Sequence, residues 1–347
     1  MYYFQNDYNV MCHPKVLDCL NWASSVHMDG YGNDTACQRA AALICRMCGS
    51  DDLSVHFLSG GTQTNLTVLA AALRPYQAVI AAKSAHIFEH ETGAIEATGH
   101  KIIALDTADG KITAQQIESV VLEHYTPNGP GVEHTPQPKV VYITFSTELG
   151  TIYSLAELEM INSVCAKYSL YLYIDGARLG YGLCADDCDV SLADIARLCD
   201  AFYIGGTKQG ALFGEAVVIK HPAIAADFRY MIKQRGGMLA KGWLMGLQFE
   251  ALLQDGLYFD LASRANRMAD QIRETLRTLG CAMPITNRTN QVFTVLPDKV
   301  LDKLSKNFIF TDWQRTDSAH RMVRFCTSWS TTFDDVDALC DALRSLI

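Results

Sequence analysis

The chain has 347 residues, 49% of them apolar and 19% charged, with 24 Gly and 9 Pro. This is the composition of a globular protein of about two domains, which excludes disordered and collagen-like chains. Its net charge of −9 comes from 29 basic and 38 acidic side chains with no Lys/Arg cluster. Nucleic acid is therefore not expected as a partner, whereas a small anion held by one or two placed arginines is. No apolar run approaches the ~20 residues of a membrane helix, so no membrane partner is expected. The first residues carry no basic-then-apolar leader, and the twelve Cys read as reduced thiols, so a cytoplasmic setting is expected.

Along the chain, Ala40 to Cys45 reads as helix, and the Cys45–Cys48 pair as small buried hydrophobes. A zinc or redox role for that pair is the lesser alternative. Ser54–Leu58 reads as a buried strand, 59–65 as a turn, and Leu66 to Leu73 as a helix stopping at Pro75. Strands follow at Ala78–Ala81, Lys139–Phe145 and Leu170–Ile174, the last ending at Asp175, with a helix over Leu155–Tyr168. Residues 125–138 read as a Pro/Gly surface loop. Ala201–Ile204 and Glu215–Ile219 are strands flanking a Gly-rich turn. Near-continuous apolar strands alternating with helices indicate an α/β layer with a mostly parallel sheet. From Gly242 to Arg277 the pattern is helical. Strands at Gln291–Leu296 and Met322–Cys326 and a final helix over Asp334–Leu346 suggest a smaller α+β domain. The expected division is 1–241 and 242–347.

Four segments carry candidate chemistry. Ser59-Gly60-Gly61-Thr62-Gln63-Thr64-Asn65 joins a strand to a helix. Its glycines let backbone N–H groups approach an anion, and Thr62 adds a hydroxyl. It is neither a P-loop nor GxGxxG, and fits one phosphate or a plain turn. Asp175-Gly176-Ala177-Arg178 follows an apolar strand, at the sheet edge where ligands bind. Its carboxylate either holds a proton on a heterocyclic nitrogen or caps a helix and pairs with Arg178. Lys208, in Gly205-Gly206-Thr207-Lys208-Gln209-Gly210, is either a desolvated amine that attacks an aldehyde or a surface lysine. His86-x-x-Glu89-His90 matches the HxxEH zinc pattern but has no third ligand at an identifiable spacing. A His stacked on a planar ligand, or an ordinary helix, are the other readings, and no metal is expected.

A phosphate turn, an Asp after a strand and a Lys in a later Gly turn, in that order, are the parts pyridoxal 5′-phosphate requires. At this point the sequence resembles the threonine aldolase / β-eliminating lyase family of fold-type-I pyridoxal phosphate enzymes. The resemblance runs from Phe4-Gln5-Asn6-Asp7 and Gly30-Tyr31-Gly32-Asn33-Asp34, through the phosphate turn and Ala85-His86-Ile87-Phe88. It continues to Ile174-Asp175-Gly176-Ala177-Arg178, Lys208 and Arg324-Phe325-Cys326-Thr327. It implies a large cofactor-binding domain with a mostly parallel seven-stranded sheet between helices, plus a smaller C-terminal α+β domain. By position it implies that Lys208 forms the Schiff base, Asp175 faces the pyridine nitrogen and His86 stacks on the ring. Gly60, Gly61 and Thr62 would bind phosphate, while Arg178, Arg324 and Asn6 would hold the substrate carboxylate.

The implied reaction is cleavage of threonine or allo-threonine to glycine and an aldehyde, with β-elimination on another amino acid, such as an aromatic one, as the alternative. A non-catalytic binding protein and a zinc hydrolase are further readings. The implied assembly is a homodimer or homotetramer. The family's Glu-Asn-Thr-His segment, with its second His, is replaced here by Ser146-Thr147-Glu148-Leu149-Gly150-Thr151, and Thr207, Thr64 and Asn33 also depart from the family pattern. The first departure leaves His86, alone or through water, as the expected base, with Glu148 second.

Overall fold

A computed structural model of the chain describes residues 1–126 and 132–347. Among the described residues the strands are Tyr2–Tyr3 (β1), Ser54–Leu58 (β2), Gln77–Ala82 (β3), Lys101–Leu105 (β4), Gln137–Thr144 (β5), Tyr171–Asp175 (β6), Ala201–Gly205 (β7), Glu215–Ile219 (β8), Gln291–Pro297 (β9), Phe308–Ile309 (β10), Thr311–Arg315 (β11) and His320–Cys326 (β12). Seven of them form one sheet in the order β2-β8-β7-β6-β5-β3-β4. Neighbours from β7 to β4 run parallel, and only β8 runs against its neighbours β7 and β2. β3, β7 and β8 are buried at every residue, because helices cover both faces.

The sheet's chemistry gathers at one edge. β6 ends on Asp175, β2 runs into the turn before the helix Gly61–Ala72, and β7 and β8 are joined by the loop carrying Lys208. That helix begins at Gly61, inside the segment read from sequence as a turn, and Gly60 is its N-cap. Gly60 offers no side chain to the first-turn N–H groups. Ser59 bonds instead to the Gln63 side chain, at 2.8 Å from its hydroxyl. The expected Pro/Gly loop falls between the helix Ala114–Tyr125 and β5, and residues 127–131 of it lie outside the described residues.

The C-terminal sheet, β11-β12-β9, is antiparallel. The helical stretch after Gly242 is two helices, Trp243–Leu253 and Leu257–Thr278, broken where Asp255 takes φ 60° and Gly256 φ 75°. The second helix joins two cores. Tyr258 and Leu261 pack with the large sheet, whereas Met268, Ile272 and Leu276 pack with Val292, Val323 and Leu339. Phe4 enters this second core, and β1 pairs in parallel with β10. All twelve cysteines are free thiols; Cys48 is buried and Cys45 half-buried within the helix Thr35–Cys48. Among the described residues, no helix is long and apolar enough to cross a membrane.

Candidate active site

The strand ends open onto a cavity of about 660 Å³. Gly60, Gly61, Thr62, His86, Asp175, Arg178, Lys208 and Arg324 all line it, brought together from both sheets. Asn6 does not line it. Its Oδ1 accepts from the backbone N–H of Tyr8 at 3.1 Å, and Tyr8 reaches the cavity instead.

Asp175 is buried, and four donors converge on it. Oδ1 accepts from the Tyr203 hydroxyl at 2.5 Å and the Ala177 N–H at 2.9 Å. Oδ2 accepts from the Tyr142 hydroxyl at 2.5 Å and Asn65 Nδ2 at 2.9 Å. Burial, and then the charge of Asp175, push the Tyr142 and Tyr203 phenols well above their ordinary range, so both stay donors. Gly176 is needed here because a Cβ would lie 1.8 Å from the Tyr203 carbonyl oxygen. Asn65 also donates to Glu91 at 2.8 Å, and the same Glu91 oxygen lies 2.8 Å from Nδ1 of His86. His86 and Asp175 are thus linked through two intervening side chains.

Lys208 stands at the cavity surface, yet its ammonium is desolvated. Burial first, and then the Arg178 charge, lower its pKa against the pull of Asp7, Asp175 and Glu215. Glu215 is buried behind it and is pushed up, by burial first. It accepts from Gly206 N–H at 2.9 Å and from Thr207 Oγ1 at 2.8 Å, so the threonine at 207 has a defined partner. The first-turn N–H groups of the helix at Gly61 face the cavity with the dipole's positive end. A Cβ at position 61 would sit 3.2 Å from the Tyr203 hydroxyl.

The two arginines differ. Arg178 forms a two-pronged pair with Asp7, Nε to Oδ2 at 2.7 Å and Nη2 to Oδ1 at 3.0 Å. Burial opposes the Asp7 charge, but Arg178 and Lys208, with hydrogen bonds from Arg178 and Asn290, hold its carboxyl down to about 2. Arg324 on β12 gives Nη1 to Gln291 at 2.9 Å and Nη2 to the Gln5 carbonyl at 3.0 Å, but its buried Nε has no partner. It lies over the Trp313 ring, 5.2 Å from the centroid.

Glu148, in the segment that departs from the family pattern, is buried on the cavity wall. Its Oε1 accepts from the His86 N–H at 2.8 Å and from Thr144 Oγ1 at 2.9 Å, and burial raises its pKa. Among the described residues, no cluster of three or more His, Cys, Asp or Glu suits a metal, so the HxxEH pattern has no third ligand.

Sequence reading missed Tyr142, Tyr203, Asn65, Glu91 and Glu215. Their signal was weak: single polar residues inside apolar strands or a helix or, for Glu91, in the bend after a short helix. It also missed Tyr8 and Trp313, which come from the arm and the small sheet.

A lysine amine, a donor-clad carboxylate and an open helix N-terminus meet at one sheet edge, and the fold is that of the fold-type-I enzymes. A Thermus thermophilus aspartate aminotransferase variant has the same fold, with a TM-score of 0.73 at 15% identity over 100% of this chain and 96% of that one. The chain belongs to the beta-eliminating lyase family, whose model matches residues 19–299. It is similar to Leishmania major threonine aldolase, with 42% identity, a TM-score of 0.96 and full coverage of both chains. It is 29% identical to the low specificity L-threonine aldolase of Pseudomonas aeruginosa, over 98% of this chain and 96% of that protein.

Proposed function

We propose that the chain is a threonine aldolase, cleaving Cα–Cβ of threonine or allo-threonine to glycine and acetaldehyde. The observation that carries this reading is the single cavity holding Lys208, Asp175, the helix N-terminus and Arg324. The full-length similarity to the Leishmania major threonine aldolase supports it.

The residues present fit pyridoxal phosphate: a lowered amine for its aldehyde, a carboxylate for its ring nitrogen, a helix N-terminus for its phosphate. When bound, this group supplies an electron sink for the pair released at Cα. Lys208, desolvated, would present its amine to the aldehyde carbon. Asp175 would hold a proton on the ring nitrogen. His86, fixed through Nδ1 by Glu91, would cover the ring face. Gly60, Gly61 and Thr62 would hold the phosphate. Arg324 keeps an unbonded Nε and binds the substrate carboxylate. Arg178 has Nε and Nη2 committed to Asp7, so only Nη1 remains to assist it. Asn6 acts on this site through Tyr8, whose backbone it holds.

Exposed Trp22, Tyr31, Phe88 and Tyr230 support assembly into a homodimer or homotetramer, and the free thiols support a cytoplasmic setting. The test is product analysis with protein loaded with pyridoxal phosphate. Threonine should yield glycine and acetaldehyde in equal amounts, and borohydride should fix the cofactor on the peptide containing Lys208. A 2-oxo acid plus ammonia instead would mean elimination, and an adduct elsewhere would remove Lys208 from its role.

A further inference from the structure

We propose that His90 is the base that takes the β-hydroxyl proton, an inference that rests on the aldolase reading above. The step balances within the substrate and the protein. The O–H bond breaks and its proton passes to a His90 ring nitrogen. The O–H electron pair becomes the second bond of the aldehyde C=O. The Cα–Cβ bond breaks with its pair leaving on the Cα side, and a proton returned to Cα completes glycine. An acceptor at the β-hydroxyl is therefore required, and it must have a free lone pair.

The carboxylates and the other imidazole on the cavity wall already hold hydrogen-bond partners. Both Asp175 oxygens are filled by four donors. Each Glu215 oxygen already accepts a hydrogen bond, from Gly206 and Thr207. Glu148 accepts from the His86 N–H and Thr144 at 2.8 and 2.9 Å, both on Oε1. His86 bonds Glu91 through Nδ1 and is assigned above to the face of the cofactor ring, and arginine has no lone pair to offer. His90 differs. Among the described residues its ring nitrogens have no hydrogen-bond partner, and its ring lines the same cavity.

Its position also fits. His90 caps the short helix His86–Glu89, with its ring centroid 5.6 Å from that of His86. It therefore stands beside the ring-facing imidazole. Burial first, and then the His86 ring, lower its pKa. Arg324 and Lys208 act in the same direction, and Glu89 opposes them. The imidazole is thus neutral, and an acceptor, at pH 7. This reading absorbs the second histidine of the HxxEH pattern without a metal.

The test uses the loaded enzyme and the variants His90→Asn and His90→Phe. Threonine cleavage should fall about 10²-fold or more. Exchange of the glycine α-proton with solvent deuterium, which involves no β-hydroxyl, provides the reference rate. The ratio of cleavage to exchange should fall by the same 10²-fold factor. Independently of turnover, NMR of labelled histidine should show one resonance, missing in both variants, that titrates below the ordinary 6.5. That resonance should shift when an amino acid with a β-hydroxyl is added, and not with alanine.

Equal losses of cleavage and exchange would make His90 structural and overturn the proposal. So would cleavage at the wild-type rate in both variants, or a resonance that does not respond to the hydroxyl. Wild-type protein that releases no glycine from threonine would instead overturn the aldolase reading itself.

Discussion

The floor of the cavity is tied down atom by atom, and its outer wall is not. On the floor, Asp175 receives four hydrogen bonds on two oxygens, and Glu215 receives one on each. On the wall, Arg324 keeps a buried Nε without a partner, and His90 has no ring hydrogen bond among the described residues. The floor is built from strand ends of one mostly parallel sheet whose central strands are buried on both faces. The wall is assembled from the arm, a short helix and the small antiparallel sheet. Fixed geometry suits a permanently held group, whereas unfilled donors and acceptors suit a substrate that comes and goes.

Four variants break or sharpen this contrast. Lys208→Ala, at the floor, should lower threonine cleavage by at least ~10⁴-fold and abolish borohydride trapping. Trapping at another lysine would break the contrast at once. Asp175→Asn keeps the shape but not the charge, and should cost on the order of 10³-fold in kcat with the fold intact by circular dichroism. A kcat near wild type would mean that the four donors serve stability alone.

Asp7→Asn should destabilise the protein by about 3 kcal/mol in chemical denaturation, because Arg178 is left buried without its counter-charge. The sign with pH follows from the lowered carboxyl. Its contribution is fully present above the ordinary value of 3.8 and is lost as pH falls toward about 2. The gap between wild type and variant should therefore close over that range and be flat at pH 6–8. A gap that persists at pH 2 would refute the ion pair as its source. Arg324→Lys, on the wall, should have the smallest effect, raising KM for threonine by about 10- to 100-fold, with a smaller change in kcat. A large fall in kcat with KM unchanged would place Arg324 with the floor.

The floor was far more legible in the sequence than the wall. Asp175 closes an apolar run, Lys208 interrupts two such runs in a Gly turn, and Gly60-Gly61 marks a strand-to-helix junction. Each is a local signal that periodicity and turn chemistry expose. What surrounds them is not local. Asn65 reaches Asp175 across 110 positions and Asp7 reaches Arg178 across 171. No spacing in a single sequence encodes such meetings. The start of the Gly61 helix was hidden for a different reason: its first turn, Gly-Thr-Gln-Thr, has the composition of a loop. β1 and β10 have two residues each, too short for any alternation to show.

The N-terminal arm has one more consequence. Its Tyr2 and Tyr3 pair with Phe308 and Ile309, and the Phe4 carbonyl accepts from the Cys326 N–H at 2.7 Å, while Asp7 reaches across to Arg178. These residues are thus translated long before most of their partners. A nascent chain with its large sheet already formed still has this segment undocked. Seating it completes the surroundings of Arg178 and the cavity wall at Tyr8 together.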